Sequence, residues 1–199
     1  MSFFSDQVTT VLIPADVQPI RTSRLFLRPL TLGDAAALFE MRRRPDVAEW
    51  LWPKEPHKHI SESEAVIARK TFTTPDASGA VRRQFFFAVM RIDDPFQRVI
   101  GFAGINSLVP APSVGYNFHP DFWGKGYATE ALAGIIDAWR NLERMQSERT
   151  ALKEKLFACC NMENIGSVKV LEKVGFTKYG EQPAEGDVVA LFEMDVRTT

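Results

Sequence analysis

Cysteine is scarce in this 199-residue chain, which has only the adjacent pair Cys159 and Cys160. Neighbouring side chains on a strand point to opposite faces, and adjacent cysteines lack metal-ligand spacing. The pair therefore reads as structural thiols in a reducing compartment, and no metal site is expected. Long apolar runs are also missing. None approaches the ~20 residues that span a bilayer, and the N-terminus has neither the basic nor the apolar region of a signal peptide, so a cytoplasmic location is expected. Net charge is nearly absent, with 24 basic against 25 acidic residues. Nothing draws the chain toward nucleic acid or an anionic membrane, and neither is expected as a partner. Internal repeats and low-complexity segments are absent.

What is present is ordinary globular material, 45% hydrophobic and 25% charged, with fifteen Phe and four Trp for core or pocket walls. A chain of this length suits one domain and buries about 70% of its unfolded surface. Residues 1–19 show no long period and read as an N-terminal arm; residues 20–199 read as the domain.

Within the domain, 24–30 alternates Leu25 and Leu27 inward and ends near a proline, as an edge or first strand does. Thr31 to Asp34 then opens a helix by a capping box, and Ser61 to Glu64 predicts a second, running to about Phe72. The Phe-rich stretch 84–90, with 99–108 and 114–118, predicts an antiparallel meander. Leu132, Ile135, Ile136, Trp139, Leu142 and Met145 are spaced for one helix face. A strand over 155–160 follows as in a parallel crossover. A short helix from Ile165 stops at Gly175, and strands over 176–179 and 188–196 complete the chain. The pattern is α/β (α+β), one mixed sheet with helices on its faces.

The stretch Trp123-Gly-Lys-Gly-Tyr-Ala-Thr-Glu-Ala131 joins a strand to the most amphipathic helix. Gly124 and Gly126 let the backbone turn tightly and approach a ligand, and a helix start presents unpaired N–H groups suited to phosphate. By itself the pair is either a phosphate cradle or a plain strand-to-helix turn.

Three motifs in order narrow that choice. They are Arg24-Leu-x-Leu-Arg-Pro-Leu with Thr31-x-x-Asp34; Gly115-Tyr-Asn-Phe-His-Pro120 followed by 123–131; and Asn161-x-x-Asn164-x-x-Ser167 leading to Leu171-Glu-Lys-x-Gly175-Phe176. In these the chain resembles the GNAT superfamily of acetyl-CoA-dependent N-acetyltransferases, particularly the branch of ribosomal-protein N-terminal (alanine/serine) acetyltransferases. The resemblance covers about residues 20–196. Trp123 stands where the superfamily's cofactor loop usually begins with Arg or Gln, a departure common in this branch.

The resemblance implies the GNAT acyl-CoA N-acyltransferase fold, with acetyl-CoA as cosubstrate in a cleft where strands 114–118 and 156–160 splay apart. Backbone near Asn117 and Phe118 would meet the pantetheine arm. Trp123, Gly124, Lys125, Gly126, Tyr127, Ala128 and Thr129 would hold the pyrophosphate, with Lys125 adding charge; Asn161 and Asn164 would contribute from the other wall. The reaction implied is direct attack by a neutral amine, belonging to a protein N-terminus or a small molecule. Ser167 is the candidate donor to the departing thiolate, and equally a helix-capping or pantetheine-positioning serine. The base is unassigned: His119, Glu49, Glu130 and Tyr179 are chemically able, but spacing singles out none. Trp50, Trp52, the 73–83 loop and the 106–113 connection are candidate cleft walls. The alternative from another class is a catalytically inactive CoA-binding regulatory module. The expected assembly is a monomer or a homodimer.

Overall fold

A computed structural model describes residues 3–145 and 154–196. Among these residues eight strands form one sheet: β1 (Ile20–Arg21), β2 (Leu25–Pro29), β3 (Phe86–Arg91), β4 (Val99–Ser107), β5 (Ser113–Phe118), β6 (Lys155–Asn161), β7 (Thr177–Ala184) and β8 (Asp187–Asp195). Their spatial order is β1-β2-β3-β4-β5-β6-β8-β7. The first five make the expected antiparallel meander, and β6 joins β5 in parallel through a single Cα pair, Ser113 with Phe157. The last hairpin folds back so that β8 pairs with β6 and leaves β7 outside.

Side chains alternate across the buried strands, so β3 feeds two cores. Phe87 and Val89 pack with Leu132, Ile135 and Trp139 of α4 (Tyr127–Arg140), while Phe86 and Ala88 pack with Leu38 and Met41 of α1 (Ala35–Arg42) and Ile67 of α3 (Ile60–Ala68). The short α2 (Pro45–Ala48) begins at a proline suited to a first helical position, and α5 (Ile165–Lys173) lies on the α4 side. Gly104 lets β3 and β4 close up: a Cβ there would lie 2.4 Å from the Phe85 carbonyl oxygen and from Phe86 Cα. No helix among the described residues is long and apolar enough to cross a membrane.

Several local expectations change. The first strand is no edge, because the Ile20–Arg21 segment pairs outside it. At the second helix the capping register lies two residues earlier: Glu62 accepts from the Lys58 and His59 N–H groups, and the helix ends at Ala68. Ser63 is turned inward and meets His57 Nδ1 at 2.8 Å, so the Ser61–Glu64 spacing mimics a start that the chain has already made. α4 stops at Arg140, and Met145 is about half exposed, its N–H bonded to the Thr10 carbonyl. The strand-like pairing of 10–12 with 143–145 competes there with a further helical turn. The 73–83 loop holds the arm instead of walling the cleft. Asp76 accepts from Ile13 N–H, and Ala77 N–H reaches the Val11 carbonyl, while Val11 and Ile13 lie in the main core.

Candidate active site

A cleft of about 720 Å³ opens where β5 and β6 part. Below the Ser113–Phe157 pair the two strands share no further ladder. His119 N–H bonds the Ile100 carbonyl beside the Phe118–Gly101 pair, so the alternating groups of Tyr116 and Phe118 face away from β4, toward the split. Phe118 offers its N–H there, but Trp123 Nε1 donates to its carbonyl at 2.7 Å. Trp123 thus ties the loop to the end of β5 while its ring lines the cleft. The Asn117 amide donates toward Met41 Sδ at 3.3 Å, joining β5 to α1.

The glycine loop has the conformation its composition calls for. Gly124 and Gly126 take φ of 71° and 79°, and Gly126 caps α4 in the left-handed region. Glu130 N–H closes onto the Gly126 carbonyl, so the N–H groups of Tyr127, Ala128 and Thr129 precede the first intrahelical bond and stay available. Gly124, Gly126 and residues 127–129 line the cleft. Lys125 has another partner: its ammonium donates to the Asp121 carbonyl at 2.7 Å and lies 5.7 Å from the Phe122 ring centre.

The loop is anchored by two residues that the motif carries without explaining. Arg24 donates to Glu130 at 2.6 Å and to the Lys125 carbonyl at 3.1 Å, and its guanidinium stacks 4.7 Å from the Tyr127 ring centre. Glu130 also accepts from the Thr22 and Ser23 hydroxyls and the Arg24 N–H. Burial opposes its charge, but these donors win and hold its carboxyl at about 2. A carboxylate so engaged is an anchor and cannot serve as a base near neutrality.

On the opposite wall, Asn164 caps α5 by accepting from Ser167 N–H at 2.9 Å. The Ser167 hydroxyl lies 2.5 Å from the Tyr116 hydroxyl, which is also 3.2 Å from the Ser167 carbonyl. Burial raises the Tyr116 phenol well above its ordinary range, and burial likewise pushes the Cys160 thiol up to about 11. All three groups line the cleft and keep their protons at neutral pH. Tyr116 was hidden in a strand motif that reads equally well as packing. Asn161 is buried and accepts from Glu163 N–H, forming the turn below this wall.

The other proton acceptors considered lie elsewhere. His119 Nδ1 accepts from Asp121 N–H at a 3-10 turn, the Tyr179 hydroxyl donates to the Phe3 carbonyl, and Glu49 is exposed outside the cleft lining. No carboxylate or histidine lines the cleft among the described residues. Trp50, Trp52, Asn106, Ser107, Val109 and Ser113 do line it, as expected, together with Arg42 and Lys70. Burial, with Arg42 and Arg69 as cationic neighbours, lowers the Lys70 ammonium to about 8.

Residues 24–177 match the sequence model of the Acetyltransferase (GNAT) domain. An uncharacterized N-acetyltransferase, p20, from Bacillus licheniformis is 26% identical over 167 residues, 82% of this chain and 85% of that protein. Among solved structures, a GNAT-family acetyltransferase from Bacillus anthracis superposes with a TM-score of 0.67 at 19% identity, covering 90% of this chain and 99% of the other. RimL, a ribosomal L7/L12 alpha-N-protein acetyltransferase solved with coenzyme A, gives 0.67 at 16% identity, covering 89% and 98%.

Proposed function

The chain belongs to the GNAT acetyltransferase domain family, and we propose that it is an N-acetyltransferase moving acetyl from acetyl-CoA to a primary amine, of a protein N-terminus or a small molecule. The observation that carries this reading is the β5–β6 split, which brings a phosphate-suited helix start and a pair of protonated hydroxyls into one cleft. When bound, acetyl-CoA supplies an acetyl group activated as a thioester.

The chain's residues divide the remaining work. The free N–H groups of Tyr127 to Thr129 and the positive end of α4 suit a pyrophosphate, and at Gly124 the space that a Cβ would take is open. The backbone of Tyr116 and Phe118 faces the split as a strand edge on which an amide-bearing chain can pair. Lys125 donates one hydrogen bond to the Asp121 carbonyl and keeps its charge and two N–H groups for a phosphate, Asn161 accepts from Glu163 N–H, and Asn164 orients Ser167. Tyr116 and Ser167 form a hydrogen-bond-donating pair: burial keeps the phenol protonated, so it can donate a hydrogen bond to a departing sulfur directly or through the Ser167 hydroxyl, and it cannot take a proton from an amine. The amine must therefore arrive neutral, losing its proton to solvent; an α-amine with a reference pKa near ~8 does so in part at physiological pH.

Amine-dependent release of CoA thiol, measured with acetyl-CoA and a panel of peptides and small amines, tests the assignment. Release with at least one amine class is the expected result. Affinity for acetyl-CoA without amine-dependent release would reduce the chain to a CoA-binding module.

A further inference from the structure

Seven of the thirteen described arginines pair with carboxylates, Arg24 with Glu130, Arg28 with Asp34, Arg43 with Glu40, Arg44 with Asp46, Arg91 with Asp93, Arg98 with Asp94 and Arg144 with Glu154. Arg42 does not. It lines the cleft, its Nε is buried without a hydrogen-bond partner, and no ion pair holds it among the described residues. Lys70 lines the same cleft with an amide oxygen, Asn106 Oδ1, and the Phe86 ring for company, 4.7 Å from the ring centre. Trp52, also on the wall, keeps a buried Nε1–H without an acceptor.

Contacts place this group against the cleft strand β5. Met41, next to Arg42, touches the Asn117 amide, and Asn106 packs against Gly115, where a Cβ would lie 3.1 Å from the Asn106 Cβ. Residues 115 and 117 face the opposite side of β5 from the Tyr116 side chain, so both cations line the cleft from the α1–α3 face of the sheet, across β5 from the hydroxyl pair. Buried charges and donors without partners are costly unless something of opposite character completes them. Two partnerless donors, Arg42 Nε and Trp52 Nε1, and two neighbouring positive charges, Arg42 and Lys70, belong to a cleft with no carboxylate in its lining.

We propose that this half of the cleft is a subsite for an anionic group carried by the amine acceptor, a carboxylate or phosphonate held by Arg42 and Lys70 with Trp50 and Trp52 against its apolar part. The inference rests on the acetyltransferase reading and names its substrate class. It also fits the lowered Lys70 ammonium: burial and the neighbouring arginines push it toward about 8, and an incoming anion reverses that. Binding of the anion then takes up a proton, and affinity falls as pH rises through about 8. A general-base role for Lys70 has the opposite signature, with turnover of every amine rising through the same window.

Two assays with matched probes decide the matter. In the first, kcat/KM is compared for leucine against leucinamide, for 1-amino-3-methylbutylphosphonate against isoamylamine, and for peptides beginning with Glu against Gln, each corrected to the fraction of neutral amine. The anionic member is expected to be favoured roughly 10- to 100-fold, the worth of a hydrogen bond to a charged group, and the favoured pair identifies the source of the anion. In the second, calorimetry compares N-acetyl-leucine with N-acetyl-leucinamide in the presence of CoA. Tighter binding of the acid, lost in Arg42→Gln and Lys70→Met variants of unchanged melting temperature and partly kept in Arg42→Lys, supports the subsite. Equal turnover within all three pairs, with thiol release intact, overturns the subsite and leaves the acetyltransferase standing. Selective binding of N-acetyl-leucine with no thiol release from any amine supports the anion site and refutes the acetyltransferase reading instead. A Lys70→Met variant that slows every amine equally without changing selectivity overturns the Lys70 assignment.

Discussion

The anchor of the glycine loop offers a quantitative test, because one carboxylate carries it. Glu130 is 15% exposed and receives the Thr22 hydroxyl at 2.6 Å, the Ser23 hydroxyl at 3.0 Å, the Arg24 N–H at 2.8 Å and the Arg24 guanidinium at 2.6 Å. Glu130→Gln keeps the shape but replaces one acceptor oxygen with a donor facing Arg24. Bonds to a charged acceptor contribute about 1.5–3 kcal/mol, so a loss of about 2 kcal/mol is expected at pH 7. For a domain of this size that lowers Tm by about 4 to 8 °C. The pH dependence identifies the cause. The folded carboxyl sits at about 2 against an ordinary 4.5, so its contribution is complete above pH 4.5 and is lost as pH falls from there toward 2, where the unfolded chain takes the proton first. The gap in Tm between the two proteins should close over that window, since other titrating groups cancel in the comparison. Thermal melts by circular dichroism at pH 7 and pH 3 measure it. The same gap at both pH values, or one below about 0.5 kcal/mol at pH 7, refutes the anchor as drawn. Because Arg24 also holds the Lys125 carbonyl, the variant should bind acetyl-CoA about fivefold more weakly, equivalent to about 1 kcal/mol.

Other consequences can be checked separately. Gly126→Glu places a side chain at φ 79° and negative charge at the helix start, and should remove measurable acetyl-CoA affinity in calorimetry while the protein stays folded. Ser167→Ala and Tyr116→Phe should each lower kcat more than acetyl-CoA affinity, and the double variant should be little worse than the poorer single one, because the hydroxyls act as one unit. Asp34 is 2% exposed and paired with Arg28, so Asp34→Ala should cost about 3 kcal/mol in urea denaturation by stranding a guanidinium. Gly104→Ala should cost about 3 kcal/mol or prevent folding, because the clashing atoms are backbone.

The meander was legible because its strands are buried on two faces and rich in Phe and Val. The crossover into β6 followed from the helix between the strands. Helix ends were less legible. Ser61 and Glu64 have the spacing of a capping box, yet Glu62 reaches back to the His59 N–H instead, and residue types alone do not separate two such registers. Met145 fits the α4 face by spacing but pairs with the arm, a contact across 135 residues that no local pattern carries. At the site, the glycine loop was readable since it demands a particular backbone conformation, whereas the capping role that the sequence allowed Ser167 belongs to Asn164, whose side-chain oxygen accepts from Ser167 N–H. Lys125 and Asn161 were assigned by motif position, and their bonded partners became visible only in three dimensions.

That contrast separates the two halves of the cleft. The half suited to acetyl-CoA is built from backbone: two glycines at positive φ, three free N–H groups and a strand edge. Such features limit which residues can occupy a position, and they leave motifs. The acceptor half is built from side chains delivered by the end of α1, the 50–53 turn and the end of α3, elements far apart in the chain. Arg42 begins the run Arg42-Arg43-Arg44 at the end of α1, where basic residues suit the helix dipole and solvent, and Lys70 is one lysine beyond a helix. Their meaning comes from convergence on β5 and from the missing carboxylate, and neither is a local property. The acceptor half is also free to diverge, since exchanging Arg42 or Lys70 alters no backbone turn and disturbs no phosphate contact. A substitution there should change which amine is accepted while acetyl-CoA affinity holds; a Lys70→Met variant whose acetyl-CoA affinity falls more than about threefold, a change of about 0.7 kcal/mol, would show that the halves are coupled.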